Sequence, residues 1–142
     1  MTLASLAISS SDAGDVAADV LVLGVTRTDD GPVLVGSAAS LLGTDPAFAD
    51  LSVLGVTGSK DDLVRVPAPA GITARAIALV GLASATPSAD DLRYAAGSAA
   101  RRMLGVSSIA MSLPVDDESQ ARAVLEGCLL GAYEYTEYRA DG

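Results

Sequence analysis

The stretch Arg75–Leu104, RAIALVGLASATPSADDLRYAAGSAARRML, decides the fold of this chain. Its apolar run Ala76–Val80 is too short for a helix and is typical of a strand covered on both faces. A polar loop follows, and Ser88 then stands where a helix N-cap is expected, with Asp91 three residues further on. This pair is a shortened capping box, so the sequence predicts a helix that begins just after Ser88.

The predicted helix has apolar residues at helical spacing and positive charge in its last turn. The apolar positions are Leu92, Ala96, Ala99 and Met103. Arg101 and Arg102 suit the negative end of the helix, and Gly105 is the predicted stop. The apolar segment Val106–Leu113 then predicts another strand. A strand, a helix and a strand form the unit from which parallel sheets are built, so we expect the α/β class.

Earlier segments predict further strands and short helices. Strands are predicted at Leu3–Ile8, Asp19–Val25 and Leu63–Pro67, and helical segments at Ser37–Leu42 and Asp45–Leu51. Asp45 followed by Pro46 supports the second helical segment, because Asp is a favoured N-cap and proline suits the first helical position. Arg27–Pro32 predicts a hydrophilic turn, and the pattern of the short apolar segment Val33–Val35 does not decide between strand and helix.

Acidic residues at Asp116–Glu118 follow Pro114 and predict the start of a last helix. Its predicted apolar stripe comprises Ala121, Val124, Leu125, Cys128, Leu129, Ala132 and Tyr135. Gly127 and Gly131 lie four residues apart, a spacing that permits close packing against a neighbouring element. Three of the four tyrosines lie in the last ten residues with no element after them. We therefore expect the chain to be a piece of a longer protein, cut at a domain boundary.

The composition predicts one domain, residues 1–142, with a core of small aliphatic side chains. Half of the residues are apolar, with a single Phe and no Trp. The formal net charge of −9 is spread along the chain, and the nine basic residues are scattered. Because nucleic acids and anionic membranes attract concentrated positive charge, this pattern argues against both as partners.

Cysteine usage and the N-terminus indicate a cytoplasmic protein. Cys128 is the only cysteine, so no intrachain disulfide can form, which fits a reducing compartment. The N-terminal MTLASLAISS has no basic segment before its apolar residues and is a poor secretory signal. No apolar run approaches the ~20 residues of a membrane span. Because Cys128 lies on the apolar stripe of the predicted last helix, we predict that it is an inert core thiol.

The residue types exclude several catalytic classes. There is no histidine, which excludes His-based triads, Cys–His dyads and His-ligated zinc. Adjacent acid pairs occur at Asp29–Asp30, Asp61–Asp62, Asp90–Asp91 and Asp116–Asp117. Such pairs can ligate metals or transfer protons, but each lies at a turn or a helix start, where solvated acids are expected. The sequence therefore predicts no catalytic, cofactor-binding or metal-binding residue.

Two further places are compared with known kinds of ligand site. The loop Gly55–Asp62 contains glycines and Lys60, but its spacing departs from GxxxxGK[ST] and no helix follows, so no phosphate site is predicted. Gly81 and Leu113 end adjacent strands, where α/β folds often bind ligands. Both a small-molecule crevice and an empty structural edge fit that position.

Four segments together resemble the N-terminal domain of the M17 leucyl aminopeptidases, the cytosol aminopeptidase family. They are ADVLVLGV at Ala18–Val25, IALVGLA at Ile77–Ala83, LRYAAGSAARRM at Leu92–Met103 and EGCLLGAYEYTEYR at Glu126–Arg139. The third is similar to the family pattern LR-x-AAG-x-AAR, and the fourth to the more specific EG-x-x-LG-x-Y-x-F-x-x-Y-[KR]. Departures are mild, with Ala83 at a common glycine and Tyr135 at a common phenylalanine.

The resemblance implies a macro-domain-like α/β fold with a mixed, largely parallel sheet and helices on both faces. It also implies a C-terminal catalytic domain, absent from this chain, that carries two divalent metal ions (Mn or Zn) and their Lys, Asp and Glu ligands. Enzymes of this family are typically hexamers that remove N-terminal residues from peptides. The resemblance makes this chain a non-catalytic structural or assembly domain, inactive by itself, whose partners are its own catalytic domain and hexamer mates.

A second hypothesis, from a different class, is a macro-like binding module for a nucleotide-type ligand. The lack of a glycine-rich phosphate loop of the expected kind disfavours it. A stand-alone enzyme is disfavoured further, because the chain has neither histidine nor a convincing acid constellation. The gene sequence beyond Gly142 separates the hypotheses: a catalytic segment there supports the aminopeptidase domain, and a stop codon favours the binding module.

Overall fold

The computed structural model describes residues 13–82, 84, 86–103 and 106–141, and residues 131–141 through their backbone only. The strands in this part of the chain are β1 (Val20–Thr28), β2 (Gly31–Val35), β3 (Leu63–Pro67), β4 (Ala76–Gly81) and β5 (Ile109–Ser112). Its α-helices are α1 (Ser37–Leu42), α2 (Ala89–Arg102) and α3 (Glu118–Asp141). Short 3-10 helices span Ala13–Asp15, Pro46–Phe48 and Leu51–Leu54. The predicted strand Leu3–Ile8 lies outside the described residues.

β1 lies at the centre of a mixed sheet. On one side it pairs in parallel with β4, from Val20 opposite Ala76 to Val25 opposite Gly81. On its other side it pairs first in parallel with β5 and then, from Gly24 onward, antiparallel with β2. β3 pairs antiparallel with the other edge of β4. The predicted α/β class with a mixed sheet is confirmed, and the parallel pairings lie at the sheet centre.

Alternate residues of β1 and β4 enter two hydrophobic cores, one on each face of the sheet. The core beneath α2 and α3 includes Val20, Val22, Ala78, Val80, Leu92, Ala96 and Ala99. The core beneath α1 and the 3-10 helices includes Leu21, Leu23, Ile77, Leu79, Leu42, Phe48 and Leu51. Because both faces are covered, every residue of these strand centres is apolar. The predicted helices on both faces are confirmed.

α2 begins as the sequence predicts. The Asp91 backbone N–H donates to Ser88 Oγ at 3.1 Å, and the Ser88 N–H donates to Asp91 Oδ2 at 3.0 Å. This reciprocal pair is a capping box in which Asp replaces the usual Glu. The helix ends at Arg102, and the predicted stop at Gly105 lies outside the described residues.

Two strands differ in length from their predictions. The predicted turn Arg27–Pro32 is the end of a β1–β2 hairpin in which only Asp29 and Asp30 lie outside the strands. Its exposed residues pair through the backbone, which hydrophobic periodicity does not detect. Of the predicted strand Val106–Leu113, only Ile109–Ser112 pairs. β5 is short because β2 occupies the same edge of β1 from Gly24 onward.

The segment predicted as helical from Asp45 forms two separate 3-10 helices rather than one helix. Asp45 caps the first of them, since its carboxylate accepts the Ala47 N–H at 2.9 Å, and Pro46 follows it as predicted. Asp50 caps the second in the same way through the Ser52 N–H at 3.1 Å. A second N-cap so soon after the first explains why the segment is divided.

Candidate functional site

α2 and α3 lie close together because glycine occupies the contact on both helices. Ala123 and Gly127 are buried on α3. A Cβ atom at position 127 would collide with the carbonyl oxygen of Arg93, and a Cβ atom at Gly97 would lie 3.2 Å from the Gly127 carbonyl oxygen. The close packing predicted at Gly127 is therefore confirmed.

The buried stripe of α3 is shifted from its predicted position. Cys128 is buried, as predicted. Leu129, predicted to be buried, is 56% exposed, and its neighbour Leu130 is 54% exposed. The stripe instead includes Ala123 and Gly127, because the contact with α2 admits only small residues. The prediction was wrong at Leu129, because it counted large apolar residues and passed over small ones. The side chains of Ala132 and Tyr135, also in the predicted stripe, lie outside the described residues.

A shallow groove of about 290 Å³ runs between α2 and α3 beside these glycines. Its lining comprises Asp90, Arg93, Tyr94, Gly97, Arg101, Gly127 and Leu130. The Arg93 guanidinium donates to the Asp90 carboxylate and, at 3.4 Å, to the Glu126 carboxylate, which ties α2 to α3. These two hydrogen bonds raise the pKa of Arg93 above its usual value. All three side chains are partly or largely solvent-exposed, so the ion pairs contribute little to stability.

Tyr94 connects α2 to residues 57–62, here called the 57–62 loop. Its hydroxyl donates to an Asp61 carboxylate oxygen, and Lys60 Nζ lies 4.2 Å from its ring centroid. Arg102 donates to the Asp61 carbonyl oxygen. The hydrogen bond to Asp61 is the main reason that the pKa of Tyr94 is raised. This cluster was not predicted from the sequence, since nothing in the local pattern places the loop beside α2.

The 57–62 loop fills the strand end at Gly81. The Gly81 N–H donates to the Asp62 carbonyl oxygen at 2.8 Å, and a Cβ atom at position 81 would collide with the Ser59 carbonyl oxygen. The Asp62 carboxylate accepts the N–H groups of Thr57 at 2.7 Å and Gly58 at 3.2 Å. The loop amides that a phosphate would need are therefore already bound to a carboxylate of this chain.

The strand ends at Gly81 and Leu113 are not adjacent as predicted, because β1 lies between β4 and β5. The strand end at Leu113 is also packed by the chain itself. Leu113 is buried, and a Cβ atom at Gly36 would lie 3.3 Å from Pro114 Cβ. The Ser112 and Ser37 hydroxyl groups hydrogen-bond at 2.6 Å, which joins β5 to α1. Of the two alternatives for this edge of the sheet, these contacts favour the structural edge over the ligand crevice.

Members of three of the four acid pairs serve local structure, namely those at Asp61–Asp62, Asp90–Asp91 and Asp116–Asp117. Asp91 caps α2, Asp90 pairs with Arg93, and the Asp117 carboxylate accepts the Gln120 N–H at 2.8 Å in the first turn of α3. Within the described part of the chain, no group of three or more His, Cys, Asp or Glu side chains is placed to hold a metal ion. The predicted burial of the Cys128 thiol is confirmed, and burial raises its pKa to about 11.

Together these features define an α/β domain whose strand ends at Gly81 and Leu113 are filled by its own residues and whose helix pair presents an apolar outer surface. None of the helices within the described residues is long and apolar enough to cross a membrane. The profile of the cytosol aminopeptidase family, N-terminal domain, matches residues 49–142. The chain belongs to this M17 family and represents its N-terminal domain.

Two relatives extend the match to nearly the whole chain. It is 40% identical over 140 residues to a "Probable cytosol aminopeptidase" of Leifsonia xyli, covering 98% of the chain and 27% of that protein. It is 42% identical over 141 residues to a protein of the same name from Clavibacter michiganensis, covering 99% of the chain and 27% of that protein. The chain therefore spans about a quarter of the length of these relatives.

Solved structures of one enzyme also match the fold. The bottromycin maturation enzyme BotP superposes with a TM-score of 0.58 at 26% identity, covering 86% of this chain and 25% of that one. The structure of BotP in complex with Mn gives a TM-score of 0.59 at 27% identity, covering 86% of this chain and 24% of that one. In both comparisons, as with the relatives, this chain corresponds to one part of a larger protein.

Proposed function

We propose that this chain is the non-catalytic N-terminal domain of a bacterial metal-dependent leucyl aminopeptidase, a cytoplasmic enzyme that removes N-terminal residues from peptides. The observation that carries the proposal is the match to the family's N-terminal domain together with coverage of only 27% of the relatives. The catalytic chemistry then belongs to the remaining part of the polypeptide, as the family resemblance implies.

Two divalent metal ions, Mn or Zn, would bind in that catalytic part and not in the present chain. One of the two matching BotP structures is a complex with Mn, which supports manganese as the first metal to test. In this chain, the carboxylates of Asp62, Asp91 and Asp90 hold loop amides, cap a helix and pair with arginine, respectively, which is a structural use of acidic residues.

The role of this domain within the enzyme is proposed to be structural. It would pack beside the catalytic domain and help to assemble the hexamer or to shape access to the active site. Support comes from the two hydrophobic cores that the described residues form, and from the apolar outer surface of α3, which a partner can bury.

Activity assays test the catalytic part of the proposal. The 142-residue chain and the full-length protein would be assayed with a leucine chromogenic amide and Mn²⁺. We expect hydrolysis by the full-length protein only, abolished by a chelator and restored by Mn²⁺ or Zn²⁺. Hydrolysis by the 142-residue chain at a comparable rate would contradict the proposal.

Deletion of the domain tests its structural role. Without residues 1–142, we expect the catalytic part to form a less stable hexamer or to change its preference for peptide length. Unchanged assembly, unchanged length preference and unchanged activity would together refute a structural role. Analytical ultracentrifugation and a ladder of peptides of increasing length provide the two measurements.

The alternative, a binding module for a nucleotide-type ligand, has less support. Its expected site at the strand ends is filled by the 57–62 loop and by the contact between Gly36 and Pro114. Calorimetry of the 142-residue chain with ADP-ribose is expected to show no binding heat. Stoichiometric heat would establish the alternative.

A further inference from the structure

The outer surface of α3 carries large apolar side chains that nothing in the described structure covers. Leu129 is 56% exposed and Leu130 is 54% exposed. By helical geometry the two leucines flank Glu126, whose carboxylate accepts a hydrogen bond from Arg93 of α2. Tyr94, also exposed, lies across the groove from Leu130. The surface formed by Tyr94, Leu129 and Leu130 is here called the α3 outer face.

α3 is thus apolar on more than one side. Its inner side is already occupied, because Ala123 and Gly127 face α2 and Cys128 belongs to the core. A helix whose apolar residues surround it is normally buried from more than one direction. The α3 outer face is therefore a candidate for a second contact.

Other exposed apolar side chains are more isolated. Val53 is 80% exposed on the 3-10 helix Leu51–Leu54, and Val33 is exposed on β2, but each is a single valine. Single exposed apolar residues are ordinary on protein surfaces, whereas adjacent large ones on a helix mark an interaction surface.

We propose that the α3 outer face packs against the catalytic part of the same polypeptide. This inference rests on the proposed function, which supplies the catalytic part, and it adds the surface through which the two parts meet. The position of α3 in the chain identifies the occupant. α3 extends to Asp141, eleven residues after Leu130, so its last residue lies about 16 Å along the helix axis from the leucine.

In the relatives, about three quarters of the polypeptide lies outside the region matched by this chain, and the match is to the family's N-terminal domain. The segment that follows the domain is therefore tethered next to the α3 outer face. A short tether gives effective concentrations on the order of mM, which favours this occupant over a separate partner.

Cysteine accessibility provides the test, because the native thiol of the 142-residue chain gives a low background, and the unsubstituted full-length protein serves as the blank for the longer polypeptide. Cys128 is buried and its pKa is raised to about 11, so at pH 7 it reacts slowly with maleimides. Leu130→Cys places a thiol on the α3 outer face, and Val53→Cys places the matched control on the opposite side of the sheet. Labelling rates would be measured in the 142-residue chain and in the full-length protein.

We expect the thiol of Leu130→Cys to react at least tenfold more slowly in the full-length protein than in the 142-residue chain, with the control unchanged. Equal rates for Leu130→Cys would overturn the inference. If Val53→Cys slows instead, the catalytic part packs on the other face, so the proposed function stands while this inference fails. If neither thiol slows, this inference fails and the catalytic part covers neither tested position, while the activity assay still decides the catalytic part of the proposed function.

Dilution distinguishes protection of the thiol by the catalytic part from protection by another copy of the protein. Protection within one polypeptide is independent of concentration, whereas protection by a neighbouring copy is lost as the assembly dissociates. We expect slow labelling of Leu130→Cys to persist in the full-length protein at concentrations where sedimentation shows single polypeptides. Loss of protection on dilution, or protection already present in the 142-residue chain, would assign the face to a second copy and overturn the inference.

Discussion

Two of the places where backbone meets backbone in the described part of this domain are held differently. At the helix pair, Gly127 lies against the carbonyl oxygen of Arg93, and apolar packing holds the helices together. At the strand end, Gly81 lies against Ser59 of the 57–62 loop, and hydrogen bonds from Gly81 and to Asp62 hold the loop in place. A helix can move away from its partner, whereas a strand paired on both edges cannot.

The largest effect is therefore expected at the strand end. Gly81→Ala places a Cβ atom on the Ser59 carbonyl oxygen, and we expect the free energy of unfolding to fall by about 3 kcal/mol. Gly24→Ala on the neighbouring strand is the matched control, since its Cβ atom meets only side chains, those of Leu82 and Val35. Urea denaturation followed by circular dichroism measures both variants. Equal losses of unfolding free energy for the two variants would show that a collision with a backbone atom costs no more than one with a side chain.

A smaller effect is expected at the helix pair. Gly127→Ala collides with the Arg93 carbonyl oxygen, but α3 can shift, and alanine favours the helix over glycine by about 1 kcal/mol. We expect a net loss in the free energy of unfolding of about 1–2 kcal/mol. Gly97→Ala, whose Cβ atom would lie 3.2 Å from the Gly127 carbonyl oxygen, is expected to be nearly neutral. A larger loss for Gly97→Ala than for Gly127→Ala would contradict this ordering.

These two contacts also show what the sequence could predict. α2 was predicted correctly because its cap, its apolar spacing and its terminal charges all lie within one stretch of chain. The outward position of Leu129 was not predicted, because it depends on which side of α3 meets α2. The filling of the strand end at Gly81 was not predicted either, because the loop that fills it comes from a different part of the chain.

The prediction that the chain has no catalytic, cofactor-binding or metal-binding residue came from its residue types, which can be counted without a structure. Histidine is lacking, and the acid pairs lie where turns and helix starts place them. The Tyr94 cluster depends instead on contacts between residues more than thirty positions apart, such as that with Asp61. Such contacts leave no local pattern in a single sequence.

The hydrogen bonds that hold the 57–62 loop at the strand end are tested at Asp62. Asp62→Ala leaves the N–H groups of Thr57 and Gly58 without their acceptor, and Gly58 is buried. We expect a loss of about 1 kcal/mol in the free energy of unfolding, measured by urea denaturation. Asp62→Asn keeps one acceptor oxygen and should lose less. If the two variants lose the same amount, the carboxylate does not hold the loop through these hydrogen bonds.

The smallest effect is expected at Tyr94, which touches both regions: it bonds to Asp61 in the loop and lines the groove beside α3. Its pKa is raised in the folded state, chiefly by the hydrogen bond to Asp61. The folded protein therefore holds this proton more tightly than the unfolded chain does, and the stabilisation is complete below pH 10. It is lost as the pH rises through the folded-state pKa.

Urea denaturation at pH 8 and at pH 11 should show a larger alkaline loss for the native chain than for Tyr94→Phe, in which the other tyrosines titrate unchanged. Identical alkaline losses would mean that the Tyr94 hydroxyl does not link the loop to α2 in solution, and the link would then rest on the hydrogen bond from Arg102 to the Asp61 carbonyl oxygen.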